Sequence, residues 1–386
     1  MIKENLNMQM DNKAPKKIFL LCSGLGNVNR GFESFTQECF DALSQVPELD
    51  ITLFKGGGKS TQSQITLWNF PRNSWLGINL GKLTKRDPYY IEQASFTFSL
   101  LPYIFLQKPD VIYFSDGIVG NILWHWREKT GQSYKLLFSN GGPLSPPFHR
   151  WDHIQQVAPI HLQEAIQAGE PLEKQSLVPY GINMDAELKI LSTADKAALR
   201  SKLELPDNLP IILSVAAINK SHKRLDYLIR EIAQLPKPRP YLLMLGQIEA
   251  ESAEIVALAN ELLEPRKFQI KTVASDQVVD YYQVADAFVL ASVGEGLPRV
   301  LLEAMSYGLP CITHDYEVSR FVLKDEGYFG NFELAGSLTS LISDVLSENN
   351  DDSKLRRHQS VYERFSWKKL HLDYFKMINH CAKYTD

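Results

Sequence analysis

The stretch 291–315, ASVGEGLPRVLLEAMSYGLPCITHD, leaves little choice of fold. It follows Ala287, Phe288, Val289 and Leu290, a short apolar run of the kind that forms a strand covered on both faces. Gly294 and Gly296 permit a tight turn and leave backbone N–H groups uncovered. Pro298 suits the first position of a helix, and Val300, Leu301, Ala304 and Met305 give that helix an apolar face. Gly308 and Pro310 end it, and Cys311-Ile312-Thr313 reads as the next strand. Strand, glycine loop, helix, strand is the unit of a doubly wound α/β sheet. One carboxylate, Glu295, lies in the loop, and another, Glu303, lies in the helix. Free N–H groups at a helix start attract anions. Two carboxylates beside them suit a ligand with a phosphate in one place and hydroxyl groups on either side, as in a nucleotide-sugar. A plainer alternative stands next to this one: Arg299 and Glu303 as an i,i+4 surface pair.

Similar units recur along the chain. A buried strand over 17–22 runs into SGLGNVNRGFES and a helix near 32–43. Its glycines, Gly24, Gly26 and Gly31, are spaced G-x-G-x4-G rather than G-x-G-x-x-G, which speaks against hydride transfer on a dinucleotide. A second strand over 51–54 precedes GGGKST, which lacks the first glycine of a P-loop because position 53 is Leu. Residues 57–90 read as irregular and mix Trp68, Trp75, Tyr89 and Tyr90 with Lys82, Lys85 and Arg86. Such a loop receives an acceptor, touches an anionic bilayer, or simply varies.

Strands over 109–114 and 135–138 end in Ser115-Asp116-Gly117 and SNGGP. Ligands gather beyond the carboxyl ends of such strands, so Asp116, Asn140, Gly141 and Gly142 are expected at a cleft. His149 and His153 read as surface or structural residues. Further strands are expected over 210–215, 241–246 and 268–273, with helices over 250–263 and 276–284. Lys220, Lys223 and Arg224 cluster between the first of these strands and a helix whose inner face is Leu225, Leu228, Ile229 and Ile232. Cations at a helix start suit a diphosphate.

A chain of 386 residues suggests two domains. Its net charge of −4 argues against coating nucleic acid. The four cysteines form no C-x-x-C pair, and Cys22 and Cys311 fall in expected strands, which fits buried thiols in a reducing compartment. Residues 1–17 lack the apolar core of a signal peptide and read as a lead-in without structure, and no apolar run is long enough to span a bilayer. The expectation is a cytoplasmic protein, with a peripheral membrane contact left open.

The segment GEGLPRVLLEAMSYGLPCI, with its E-x7-E spacing from Glu295 to Glu303, resembles the signature of retaining glycosyltransferases of family 4. The resemblance implies the GT-B fold, two Rossmann-like doubly wound domains facing across a cleft. Residues 1–180 would form the acceptor domain, 181–365 the nucleotide-sugar donor domain, and 366–386 a helix crossing back to the first. SLVPYGINMD resembles the interdomain crossing. By this pattern Glu295 contacts the donor sugar near the reacting carbon, Lys223 meets the leaving diphosphate, and Glu303 binds the ribose hydroxyls. Gly296, Leu297, Pro298, Arg299 and Val300 would hold sugar and phosphates, and Val273 and Ala274 the base. Gly24, Gly26 and Asn27, with Arg30 as a further candidate, would open the acceptor side.

The chain departs from the pattern at two places. Ala216-Ala217 stands where Gly-Arg is usual, leaving Lys220 to replace the charge, and Asn140 stands near the place of a family histidine. There is no D-x-D triplet, and neither metal nor cofactor is expected. The implied reaction moves a sugar from a nucleotide-diphosphate sugar to a hydroxyl of a saccharide, a lipid-linked or a small-molecule acceptor, in glycan or glycoconjugate biosynthesis. The alternatives are a nucleotide-sugar epimerase of the same architecture and a catalytically idle nucleotide-sugar-binding protein.

Overall fold

Apolar runs of four to seven residues become strands here because parallel neighbours and helices cover both of their faces. The computed structural model describes residues 14–28, 30–347 and 350–384, so the lead-in expected over 1–17 falls, for 1–13, outside them. The first sheet contains β1 (Lys16–Cys22), β2 (Leu49–Lys55), β3 (Gln64–Thr66), β4 (Val111–Phe114), β5 (Lys135–Asn140), β6 (His153–Gln156) and β7 (Gln175–Leu177). Their order is β3-β2-β1-β4-β5-β6-β7, with all pairs parallel. The second contains β8 (Ile211–Val215), β9 (Tyr241–Leu245), β10 (Phe268–Lys271), β11 (Ala287–Leu290), β12 (Cys311–His314) and β13 (Gly327–Gly330). It has the order β10-β9-β8-β11-β12-β13, again parallel throughout. Both sheets are doubly wound, as expected.

In the first domain, β1 leads to α1 (Gly31–Leu43), whose Phe35, Cys39, Phe40 and Leu43 face inward. The expectation of irregular structure over 57–90 is corrected. That stretch holds β3, α2 (Trp75–Thr84) and the start of α3 (Pro88–Gln107). The caps are in the sequence: the Ser74 hydroxyl accepts from the Gly77 N–H, and the Asp87 carboxylate from Tyr89, with Pro88 in the first turn. The apolar period was hidden because α2 turns its glycines inward, Gly77 and Gly81 being its buried residues. α4 (Gly117–Thr130) follows β4.

The helix Trp367–Lys383 lies on α1 and β5 of the first sheet. The Phe35 ring stacks 3.9 Å from Tyr180 and 5.9 Å from Trp367. Where the chain passes between the domains, Ile182 exchanges backbone hydrogen bonds with Phe365 and Trp367. A Cβ at Gly181 would lie 2.6 Å from the Trp367 indole, so only glycine fits that crossing. One apolar cluster consequently includes Ile18, Phe35, Leu213 and Tyr374, from both sheets and this helix. All four cysteines are buried and unbridged. Among the described residues no helix is long and apolar enough to cross a membrane.

Candidate active site

A parallel sheet opens a crevice where loops leave neighbouring strands in opposite directions. The strand orders put that point between β1 and β4 in the first sheet and between β8 and β11 in the second. The loops after these four strands meet at one cavity of about 1200 Å3 between the domains. Arg30, Ser115 and Asp116 reach it from the first domain, and Asn219, Lys223 and Glu295 from the second.

On the second-domain wall, Lys223 Nζ donates to Glu295 Oε1 at 2.5 Å, and His222 Nε2 lies 4.0 Å from the same oxygen. The loop is held by Asn219, whose side-chain oxygen accepts from the N–H groups of His222 and Lys223 at 3.3 and 2.7 Å. Arg224 follows with φ 51°, an arrangement supported by its guanidinium donating to the Phe332 carbonyl at 2.9 Å. Glu303 projects from the helix Arg299–Ser306 and accepts from the Tyr282 hydroxyl at 3.1 Å. Burial pushes its carboxyl above the usual range, with Arg299 and the Tyr282 hydrogen bond pulling the other way. Lys223, Glu295 and Glu303 therefore share one cavity, with the two carboxylates on either side of the loop-to-helix turn.

The first-domain wall is built around Asp116. Its carboxylate accepts from Ser23 at 2.8 Å, Tyr89 at 2.6 Å and Gln93 at 3.2 Å. Burial raises its pKa, and the Tyr89 and Ser23 hydroxyls oppose that shift. Tyr89 is in turn covered by the Arg72 guanidinium, 4.0 Å from its ring centre, and Arg72 pairs with the fully buried Glu92. Tyr89 and Gln93 both sit on the first turns of α3, so the helix that replaces the expected irregular loop supplies this wall.

Glu295, Leu297, Pro298, Arg299, Val300 and Glu303 all line the cavity. Two of these placements, and that of Gly296, differ from expectation in detail. Pro298 has no N–H to offer an anion; it holds the N-cap position, and its carbonyl accepts from the Leu301 N–H at 3.0 Å. The Arg299 guanidinium points away to the first domain, donating to Glu38 and to the Gly31 carbonyl. Gly296 is off the wall: its backbone lies so near the first domain that an added Cβ would stand 2.0 Å from the Gly141 carbonyl oxygen.

Other expected site residues lie elsewhere in the structure. Lys220 turns away and pairs with Glu254 on the outside, because its exposed ammonium finds a partner there. Val273 is half-buried against the edge of the apolar core and Ala274 is exposed, while Ser275, Val278 and Val279 line the cavity. Gly24, Gly26 and Asn27 do not reach the cavity, since Gly26, at φ 87°, closes on Gly57 and the Asn27 amide donates to the Gly56 carbonyl. Asn140 is buried, its amide spent on Gln156 and on the backbone of Leu144, whereas Gly141 and Gly142 do line the cavity. His149 is exposed, and His153 is buried against Ser176, both away from the site. His222, Tyr89, Gln93 and Tyr282 were not singled out as site residues from sequence; each depends on a loop or helix meeting that no local pattern encodes.

Residues 195–363 match the family model of glycosyl transferases group 1. The match takes in somewhat less than half of the chain. The group 1 region contains Lys223, Glu295 and Glu303, the cavity's second-domain wall. Among curated proteins, the chain is similar to an alpha-galactosylglucosyldiacylglycerol synthase of Streptococcus pneumoniae. The two are 25% identical over 180 residues, 46% of this chain and 47% of that protein. The chain thus spans about half the length of these curated relatives, the other being a lipopolysaccharide core biosynthesis glycosyltransferase of Rhizobium meliloti. Among solved structures, sucrose-phosphate synthase from Thermosynechococcus elongatus superposes with a TM-score of 0.77 at 17% identity, covering 94% of this chain and 98% of that one. Anabaena HepE, solved in complex with UDP-glucose, superposes with a TM-score of 0.70 at 15% identity, covering 94% and 99%. At such identities the superpositions speak for the fold, which is GT-B, and the group 1 region is its second Rossmann-like domain.

Proposed function

We propose that the protein is a retaining glycosyltransferase that moves a sugar from a nucleoside-diphosphate sugar to an acceptor hydroxyl. The observation that carries this reading is the convergence of Lys223, Glu295 and Glu303 on one interdomain cavity, opposite the Asp116 wall. Residues up to about 180 take the acceptor, and 181–365 hold the donor. Glu303 accepts hydrogen bonds from the ribose hydroxyls. Ser275 and its neighbours face the base, and Lys223 with His222 meets the diphosphate. Glu295, held by Lys223, faces the sugar at its reacting end.

In the reaction the bond from the anomeric carbon to the phosphate oxygen breaks, and a bond to the acceptor oxygen forms on the same face. The acceptor proton passes to the departing phosphate. Lys223 stabilises charge that develops on that phosphate, a contribution worth about 10²- to 10³-fold in rate for one such donor. The protein is proposed to need no metal or cofactor for this step and to work in the cytoplasm. HepE is solved with UDP-glucose, and the pneumococcal relative is named for a glycosylated diacylglycerol, so uridine donors and lipid-linked acceptors head the panel to be tried.

The test is a mass-spectrometric screen of nucleotide-sugars for binding and hydrolysis, repeated with Lys223→Ala and Glu295→Gln. One donor should bind and turn over in the wild type, and both variants should lose turnover more than affinity. Binding without any hydrolysis or transfer, unchanged in both variants, would replace the reading with an idle binding protein. A new sugar isomer released on the intact donor would make it an epimerase.

A further inference from the structure

α2 is built inside out. Its buried residues are the two glycines, Gly77 and Gly81, while Trp75 is 76% exposed and Leu83 is 80% exposed. Leu76 and Ile78 are exposed as well. At 100° per residue these four side chains fall on one continuous arc, with Lys82 between Ile78 and Trp75, opposite the glycine stripe. A ten-residue helix in water gains by burying such side chains, so an outward arc of this composition marks a face with a partner. Trp68 adds another exposed ring, and its carbonyl accepts from Ser99 of α3, next to the exposed Phe98.

The segment that carries this face is cationic along the sequence. Residues 51–86 carry six Lys and Arg and no Asp or Glu, in a chain whose net charge is −4. Lys82, Lys85 and Arg86 are exposed at the end of α2. Asp87, the next acid, has its carboxylate turned to the Tyr89 N–H at the start of α3. Tryptophan and leucine with a lysine among them on one arc of a short helix, and two more cations at its end, are what an anionic lipid interface accepts: the apolar groups enter the headgroup–acyl boundary and the cations stay at the phosphates.

We propose that the outer face of α2 docks the protein on an anionic lipid bilayer. Three residues, Lys85 to Asp87, separate that helix from α3, whose first turns carry Tyr89 and Gln93 into the cavity. Docking brings the Asp116 wall close to the headgroup layer, a position suited to a hydroxyl carried on a lipid. Only this last consequence rests on the transfer reaction proposed above.

The experiment is sedimentation of the full chain, without sugar donor, with vesicles of phosphatidylcholine alone and of phosphatidylcholine mixed with phosphatidylglycerol. The wild type should pellet with the anionic vesicles and much less with the neutral ones. Trp75→Ser with Leu83→Ser, and separately Lys82→Glu with Lys85→Glu, should each lower the bound fraction about tenfold or more. Circular dichroism should show both double variants folded, as expected for exposed positions. Equal pelleting of wild type and variants, or none of the wild type with anionic vesicles, overturns the proposal. So does a wild-type dimer in light scattering that the Trp75/Leu83 variant breaks, because the occupant is then a second copy. Because no donor is present, loss of docking and failure of the transferase reading are read separately.

Discussion

Arg299 Nη2 stands 2.5 Å from Glu38 Oε1, joining the helix after the glycine loop of the second domain to α1 of the first. The guanidinium is nearly fully buried and also donates to the Gly31 carbonyl at 3.0 Å. Glu38 accepts in addition from the Asn183 N–H and the Trp367 indole, so one carboxylate ties together α1, the interdomain crossing and the terminal helix. Removing it strands a buried cation. Glu38→Ala should cost about 3 kcal/mol in urea unfolding. Glu38→Leu with Arg299→Met, which removes both charges, should recover much of that loss.

Gly296 and Gly294 look alike in the sequence and differ in space. A Cβ at Gly296 meets the Gly141 carbonyl at 2.0 Å, whereas one at Gly294 meets nothing within 4 Å. Gly296→Ala must push the domains apart at the mouth of the cavity, and displacements of this size cost about 10²-fold in turnover. Gly294→Ala should keep wild-type activity. Steady-state rates of the two variants, with small-angle scattering of Gly296→Ala in place of wild type, check the contrast.

Burial holds Glu303 protonated to a higher pH than an unfolded carboxyl. The folded chain then binds more protons in that window, and this group contributes stability at low pH that is lost as pH rises through its folded pKa. Glu303→Gln removes the cost of the buried charge. Its unfolding midpoint at neutral pH should equal or exceed that of the wild type. On the proposed function, donor affinity by calorimetry should fall about 10- to 100-fold, because charge-assisted bonds to the ribose hydroxyls would be replaced by weaker ones.

His153 behaves in the opposite sense. Burial, with His380 nearby, depresses its pKa from 6.5 to about 4, and its Nε2 contacts Ser176 Oγ at 2.8 Å. Between those values the unfolded chain binds the extra proton, so stability falls as pH drops from 6.5 toward 4. Urea midpoints across that window should fall more steeply for the wild type than for His153→Gln.

The strands and the Glu295–Glu303 spacing were legible because they are local. Four apolar residues before a glycine turn, and a helical face of Val300, Leu301, Ala304 and Met305, need no knowledge of the rest of the chain. Gly181 was legible only as part of the interdomain crossing, and the reason it must be glycine, the Trp367 ring, is nearly two hundred residues away. Lys220 and Lys223 could not be told apart by composition; a Glu254 on the next helix drew one outward and Glu295 drew the other inward. The α2 segment was misread for a physical reason, since its apolar residues do not mark the side that packs. Tyr89 and Asp116, 27 residues apart in sequence, became neighbours only through the packing of α3 against α4, whose N-cap is Asp116.

The return of the helix Trp367–Lys383 to α1 has a bearing on biosynthesis. Tyr374 and Trp367 complete the aromatic cluster of Phe35 and Tyr180, yet they leave the ribosome after both sheets have been made. The amino-terminal half therefore waits, with one side of the Phe35 cluster uncovered, until the whole second sheet has been synthesised. A nascent chain stalled near residue 340 should present that cluster to a holdase chaperone, and one stalled beyond the terminal helix should not.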